Sequence, residues 1–138
     1  MGPVEYMIMT FPTSSLDARV GPAVADLVDR GLIAVLDMLF VTKDMDGTVA
    51  TLEADQDSGL ASLTVIDGEV GALISAADVD YVGDGLLPGQ SALVLVCEDR
   101  WAVALADVLS DAGGVLYEGA RIPGDVVEEA WADLEVVA

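Results

Sequence analysis

The 138-residue chain contains no histidine, one cysteine and one lysine, and each shortage removes a class of chemistry. Without histidine there is no imidazole for a Ser-His or Cys-His pair, nor for a metal site. Cys97 has no second cysteine with which to form an intramolecular disulfide, so nothing in the sequence indicates an oxidising compartment.

Positive charge is also scarce, because 5 basic side chains face 25 acidic ones and give a formal net charge of −20. This charge excludes non-specific nucleic-acid binding and argues against an anionic membrane surface as a partner. The acidic residues run from Glu5 to Glu135 without forming a block. They fit a host with a salty cytoplasm, a domain kept soluble by repulsion, or copies that repel one another unless cations or arginines lie between them.

Long apolar runs are missing as well, although 54% of the residues are hydrophobic. That fraction is enough to build a core, so the chain is not expected to be disordered. No run approaches the roughly 18–20 apolar residues needed to span a bilayer. The first residues lack the basic region of a signal peptide. We therefore expect a cytoplasmic protein without integral membrane insertion.

Apolar runs and turn residues predict the following order of elements. Strands are expected at residues 4–11, 32–42, 48–53, 91–97 and 115–121. Helices are expected at residues 22–30, 60–66, 69–74, 76–83 and 99–112, and from Pro123 onward. In helix 99–112 the buried side is predicted to carry Trp101, Ala104, Leu105, Val108 and Leu109. Ser75 and Asp78 have the spacing of a weak capping box.

The order strand–helix–strand occurs twice, which is typical of a ferredoxin-like α+β sandwich. The predicted fold is one domain, residues 1–138, with an extra hairpin strand, a helical insert at 54–89 and an amphipathic C-terminal helix at 123–138. Right-handed crossovers place both helices on one sheet face. The other face then needs cover from the insert, the C-terminal helix or a partner.

Several stretches carry a family resemblance: Gly2-Pro3-Val4-Glu5-Tyr6, residues 36–47, Asp67-Gly68-Glu69-Val70-Gly71, Glu98-Asp99-Arg100-Trp101-Ala102, and residues 113–123. With these the chain resembles an uncharacterised actinobacterial family of unknown function over nearly its full length. More distantly, it is similar to bacterial proteins labelled as uncharacterised membrane or stress proteins. The resemblance supports the fold and supplies no catalytic residues.

Closely spaced acidic residues are candidates for metal or catalytic sites. Residues 42–53 space Asp44, Asp46, Gly47 and Glu53 like part of an EF-hand loop, but Thr42 stands where a first aspartate is required and strands flank the loop. A plain acidic hairpin is the favoured interpretation. The sequence has no Gly-Lys-Ser/Thr phosphate loop. It therefore predicts no catalytic, cofactor-binding or metal-ligating residue and no cofactor.

Four side chains are predicted to make contacts between molecules: Arg100, Trp101, Arg121 and Trp131. On so acidic a chain each arginine should find a carboxylate, on its own chain or on another copy. Asp99 is expected to cap the helix that follows it, and Cys97, at the end of an apolar strand, is expected to be a buried small hydrophobe. Trp131 lies on the apolar side of the C-terminal helix, which docks either on its own domain or on a neighbour.

The function hypothesis is a non-enzymatic, self-associating cytoplasmic protein, a structural or stress-associated homo-oligomer. The alternative is a small-molecule-binding regulatory or cofactorless enzymatic module. A buried cavity containing Glu5, Tyr6, Tyr117 or Arg100 would favour this alternative. An acidic adaptor for a basic protein partner is a third possibility.

Because the chain is strongly acidic, we predict that association of its copies strengthens with added salt or divalent ions. Raising NaCl from 0.1 M to 1 M shortens the screening length from about 10 Å to about 3 Å, and so weakens repulsion between carboxylates of neighbouring copies. Sedimentation velocity across this range measures the effect. Dissociation on raising salt would show instead that ion pairs hold the copies together.

Overall fold

A computed structural model describes residues 1–52, 73–115 and 119–137, and the side chains of 136 and 137 lie outside the description. Its elements are β1 (Val4–Phe11), α1 (Val20–Asp29), β2 (Ile33–Lys43), β3 (Val49–Leu52), α2 (Ala76–Gly85), β4 (Ser91–Asp99), a 3₁₀ turn (Arg100–Ala102), α3 (Val103–Asp111) and α4 (Gly124–Val137).

The described strands form one antiparallel sheet in the order β1-β4-β2-β3. β2 and β4 carry the longest apolar runs and are buried at nearly every position, which explains why they occupy the centre. A β-bulge interrupts the register of β2 with β4 between Val35 and Asp37. Among the described residues, β1 and β3 are the edge strands of this sheet.

Both faces of the sheet carry apolar clusters because side chains alternate across a strand. On one face α1 contacts β2, and Val24 packs with Val35, Phe40 and Leu95. On the other face α2 packs through Val82 and its neighbours against β2 and β4. This second cluster consists of Leu39, Val41, Ile74, Val82, Leu86, Ala92 and Val94. The described part of the predicted insert therefore covers the face that α1 leaves open.

Local sequence explains the boundaries of these helices. Pro22 lies in the first turn of α1, and Gly31, with φ of 71°, follows its last turn. At the start of α2, Ser75 and Asp78 form the predicted capping box, with both reciprocal hydrogen bonds present. Gly83 is required near the end of α2, because a Cβ there would lie 2.9 Å from a methyl group of Val49 on β3.

Comparison with the predicted elements confirms a mixed α+β fold. The first strand has the predicted ends, and the other described elements agree to within a few residues. The predicted strand at 115–121 is wrong at its described positions, 115 and 119–121, which are not in a strand. The predicted helix at 60–66 and residues 69–72 of the predicted helix at 69–74 lie outside the described residues, and residues 73 and 74 are not helical. A second complete strand–helix–strand unit is thus not seen in the described chain.

The predicted buried side of the helix after β4 is also wrong. Trp101 is 64% exposed and Leu105 59% exposed, whereas Ala102 is buried. No residue of α3 is buried. The segment begins with a 3₁₀ turn, whose period of about 3.0 residues shifts the angular position of side chains from that of a continuous α-helix.

The chain divides into two compact units, Met1–Ala106 and Asp107–Ala138. The first contains the sheet, α1 and α2. The second contains the end of α3 and the whole of α4. Within the described residues, no helix combines the length and the hydropathy required to cross a membrane.

Asp37 connects the two layers of the first unit. Its carboxylate is completely buried and accepts hydrogen bonds from the backbone N–H of Ile74 at 2.9 Å, of Leu73 at 3.0 Å and of Met38 at 2.8 Å. The bulge in β2 brings this side chain to the face covered by α2. One acidic side chain thereby fixes the segment that leads into α2 onto the central sheet.

We predict that Asp37→Ala destabilises the protein by about 3 kcal/mol, because it leaves buried backbone donors without an acceptor. Asp80→Ala, on the exposed surface of α2, is the matched control and should change stability by less than about 0.5 kcal/mol. Urea unfolding followed by circular dichroism measures both. Equal effects of the two substitutions would contradict the anchoring role of Asp37.

Candidate functional site

A cysteine and two carboxylates meet at one end of the sheet. Glu5 on β1 lies directly opposite Cys97 on β4, and Asp99 follows two residues along β4. The thiol and one oxygen of each carboxylate all lie within 4.8 Å of one another. Alternation places the three side chains on the face that α1 covers, where Cys97 is part of the apolar cluster.

This cluster offers a soft ligand atom, the Cys97 sulfur, and two hard ones, a carboxylate oxygen each of Glu5 and Asp99. The cluster is largely shielded from solvent, since Cys97 and Asp99 are buried and Glu5 is half-buried. It is the one set of three such side chains that could hold a metal ion within the described part of the chain. The sequence analysis missed it. Residues 5 and 97 are brought together only by the pairing of β1 with β4, a long-range register that local patterns do not encode.

The predicted capping role of Asp99 is wrong. Asp99 precedes the 3₁₀ turn, but its side chain makes no capping hydrogen bond. Its backbone N–H donates to the carbonyl of Pro3 at 2.7 Å, and it closes β4 in register with Ile33 of β2. Strand pairing thus holds Asp99 where the sequence predicted a helix cap.

Glu98 occupies the opposite face at the same end of β4. One oxygen accepts a hydrogen bond from the backbone N–H of Gly2 at 2.8 Å, and the other lies 3.7 Å from a guanidinium nitrogen of Arg100. Gly2 is in turn close-packed, because a Cβ there would meet Val103 at 2.8 Å. Arg100 therefore finds a carboxylate on its own chain, two residues away.

Two of the other arginines pair locally as well. Arg19 makes two hydrogen bonds to Asp17, at 2.9 and 2.8 Å, and Arg30 lies 3.4 Å from Asp26. Arg121 and Trp131 lie in the second unit, and Trp101 in the first. The structure brings Arg100 and Trp101 together as neighbours in the 3₁₀ turn, and the predicted role of the four residues in contacts between molecules stays a prediction.

Three exposed carboxyls have lowered pKa values with local causes. Hydrogen bonds from the Arg19 side chain and backbone hold the pKa of Asp17 far below its usual range. The Thr48 backbone lowers the pKa of Asp46, and the Ser75 backbone lowers that of Asp78. In each case a donor favours the ionised form. These shifts accompany turns and caps.

The acidic hairpin has the predicted form. β2 ends at Lys43, Asp44 and Thr48 are joined by a backbone hydrogen bond of 2.8 Å, and β3 begins at Val49. The Asp46 carboxylate accepts a hydrogen bond from the Thr48 N–H at 2.9 Å. This aspartate therefore stabilises the turn. Glu53, the last acid of the EF-hand-like spacing, lies outside the described residues.

Lys43, the chain's one lysine, has a structural role that the sequence did not indicate. Its Nζ donates to the carbonyls of Gly83 and Leu86, each at 3.1 Å. These acceptors belong to the C-terminal end of α2, where free carbonyls and the helix dipole favour a positive charge. Lys43 thus connects the end of β2 to α2.

An apolar groove of about 630 Å³ lies between β1 and α1. Met9 and Phe11 form its β1 side, Val20 and Leu27 belong to its α1 side, and Arg19 and Asp17 lie at its border. A cavity containing Glu5, Tyr6, Tyr117 or Arg100 would favour the small-molecule alternative. Glu5, Tyr6 and Arg100 do not border this groove, and Tyr117 lies outside the described residues.

A match to a protein-family model covers residues 1–137, and the model is described as a family of unknown function, DUF6325. The chain belongs to this family. Its predicted membership of an uncharacterised family is confirmed, and DUF6325 assigns no catalytic residue or ligand. No curated protein matches the chain, and no solved structure matches it.

For this DUF6325 member we predict that the Cys97 thiol is protected in the folded protein, because its side chain is completely buried. Ser14→Cys supplies an exposed reference thiol in the same molecule. Reaction with Ellman's reagent should then show one fast and one slow equivalent, differing at least about a hundredfold in rate, since the slow one requires opening of the sheet. Two fast equivalents would show that the cluster is open to solvent.

Proposed function

We propose that the chain is a non-enzymatic cytoplasmic protein that associates with copies of itself in a structural or stress-associated role. The observation that carries this proposal is an apolar surface without net charge on an otherwise strongly acidic molecule. We define this neutral surface as the part of residues 6–25 that β1 and the first half of α1 leave exposed.

The charge of the neutral surface is balanced within itself. Residues 6–25 contain one acid, Asp17, and one base, Arg19, which form a bidentate ion pair. The formal net charge of −20 is therefore carried by the remainder of the chain. Copies with this charge repel one another, so they approach at least cost where their facing surfaces are neutral.

The neutral surface is also apolar. Met9 and Phe11 line the groove beside α1, and Leu27, just beyond residue 25, closes the same groove at 37% exposure. Tyr6, which is 65% exposed, lies on the opposite face of β1. Exposed aromatic and large apolar side chains around a concavity are typical of protein contact sites. A second copy of the chain has the same neutral surface. The two facing surfaces therefore do not repel each other through net charge.

The alternative function, a small-molecule-binding module, is supported by the same groove, whose volume of about 630 Å³ is in the range of ligand pockets. Native mass spectrometry of the freshly purified protein tests this alternative. A bound small molecule would favour it, and a bare chain mass with self-association would favour the structural role.

We predict that the wild-type chain at 10 µM has at least twice the monomer mass of 14.3 kDa, measured by size-exclusion chromatography with light scattering. Ala23→Glu places a carboxylate on the groove side of α1 and should weaken association at least about tenfold, since like charges across an interface cost several kcal/mol. Ala77→Glu makes the same change at an exposed position of α2 and should leave association unchanged.

A strict monomer at this concentration would contradict self-association itself. Equal weakening by Ala23→Glu and Ala77→Glu would mean that added charge acts through the whole molecule and would contradict the neutral surface as the contact.

A further inference from the structure

The pairing of β1 with β4 holds Glu5, Cys97 and Asp99 in a defined arrangement. Glu5 lies directly opposite Cys97, and Asp99 is the next residue of β4 on the same face. The Asp99 N–H donates to the Pro3 carbonyl at 2.7 Å, so the hydrogen-bonded ladder continues past Glu5 and Cys97. Side chains on the strands of a sheet keep their positions more precisely than side chains on loops. The backbone therefore prearranges the three ligand atoms.

Apolar side chains border the cluster on the side of β2. Ile33 and Val35 of β2 pair with Asp99 and Cys97 of β4, and both are buried. Cys97 itself is completely buried, and Asp99 is 8% exposed. Apolar surroundings of this kind lower the local dielectric constant, and this strengthens the attraction between a cation and its ligand atoms.

The two carboxylates of the cluster repel each other when both are ionised. An oxygen of Glu5 and an oxygen of Asp99 lie within 4.8 Å of each other, and Asp99 is buried. Like charges at this separation in shielded surroundings destabilise each other. A divalent cation between them replaces this repulsion by two attractions, and the net charge of −20 concentrates cations around the chain. The electrostatics of the cluster thus favour a bound cation.

The chemistry of the ligand atoms indicates which cation fits. Ca²⁺ and Mg²⁺ take oxygen ligands and Cu⁺ takes soft sulfur ligands, so a mixed set of one sulfur and two oxygens suits neither group. Zn²⁺ accepts both thiolate sulfur and carboxylate oxygen in tetrahedral geometry. With Zn–S of about 2.3 Å and Zn–O of about 2.0–2.2 Å, tetrahedral ligand atoms lie about 3.4–3.6 Å apart. The separations in the structure are at most 4.8 Å, so small side-chain rotations close the difference.

We propose that Glu5, Cys97 and Asp99 bind one Zn²⁺ ion at this end of the β1–β4 ladder. Cys97 releases its thiol proton to solvent and coordinates through the thiolate sulfur, and each carboxylate contributes one oxygen. A water molecule completes the four ligands, as it does in zinc sites with three protein ligands. The bound ion joins β1 to the central strand β4. This site does not depend on the proposed self-association.

Co²⁺ is the spectroscopic probe of this site, because Co²⁺ bound to a thiolate absorbs in the near ultraviolet by charge transfer from sulfur. The full chain is titrated with CoCl₂ in excess Mg²⁺, which occupies exposed carboxylates. We expect one Co²⁺ per chain with a sulfur charge-transfer band, and loss of the band when Zn²⁺ is added.

Three variants test the ligands. Glu5→Gln removes one ligand charge at the least buried position and should weaken Zn²⁺ binding at least about tenfold, since even the hydrogen-bond partners of ligands contribute about 10–100-fold. Asp80→Asn makes the same type of change on the exposed surface of α2 and should leave binding unchanged. Cys97→Ser should abolish the charge-transfer band. Isothermal titration calorimetry measures the affinities, and circular dichroism checks the fold of each variant.

A folded wild type that shows no charge-transfer band would overturn the zinc site. Equal affinities of Glu5→Gln and Asp80→Asn would show that surface carboxylates bind the ion, which would also overturn it. If Cys97→Ser does not fold, the wild-type band and the Glu5→Gln comparison decide the result. Light scattering on the same samples is a separate measurement. A monomeric chain that binds Zn²⁺ through these residues would contradict the proposed self-association and support this inference.

Discussion

The two hydrogen-bonded ladders of β4 support the rest of the structure. β4 pairs with β1 on one side and β2 on the other, and it is buried at eight of its nine positions. Its two faces contribute to both apolar clusters, so α1 and α2 each pack against a surface that β4 helps to form. The same strand carries Cys97 and Asp99 to Glu5, and it places β1 at the edge of the described sheet. The apolar core, the Glu5–Cys97–Asp99 cluster and the edge position of β1 thus all depend on the pairing of β4 with its two neighbours.

The formal net charge of −20 does not show how the charged side chains are paired along the chain. Basic side chains pair with nearby carboxylates in Asp17–Arg19, Asp26–Arg30 and Glu98–Arg100, which are partly exposed contacts of small energetic value. Buried Asp37 instead bonds to backbone N–H groups and stabilises the sheet–helix layer. These carboxylates therefore serve local structure, and in the neutral surface the charge of the one acid, Asp17, is balanced by Arg19.

Sequence patterns predicted most of what local physics determines. The ends of β1, the acidic hairpin and the Ser75 capping box follow from alternation, turn residues and side-chain hydrogen bonding over a few positions. Sequence patterns did not predict the positions of side chains whose contacts lie far away in the sequence. Asp37 is an anchor because a bulge and the residues before α2 bring backbone donors to its carboxylate, which no local pattern indicates. The Glu5–Cys97 contact depends on strand register, and the exposure of Trp101 depends on a 3₁₀ turn.

The hydrogen bonds of Lys43 have a practical consequence for the chemical modification of this protein. Its amine is half-buried and donates to two carbonyls at the end of α2, so the chain's one lysine side chain is both a weak nucleophile toward acylating reagents and part of the fold. Lysine-directed cross-linkers have almost nothing to join between copies, and acylating Lys43 would remove its charge from the helix end. Reagents that couple carboxylates are the suitable choice, because 25 acidic side chains are distributed along the chain.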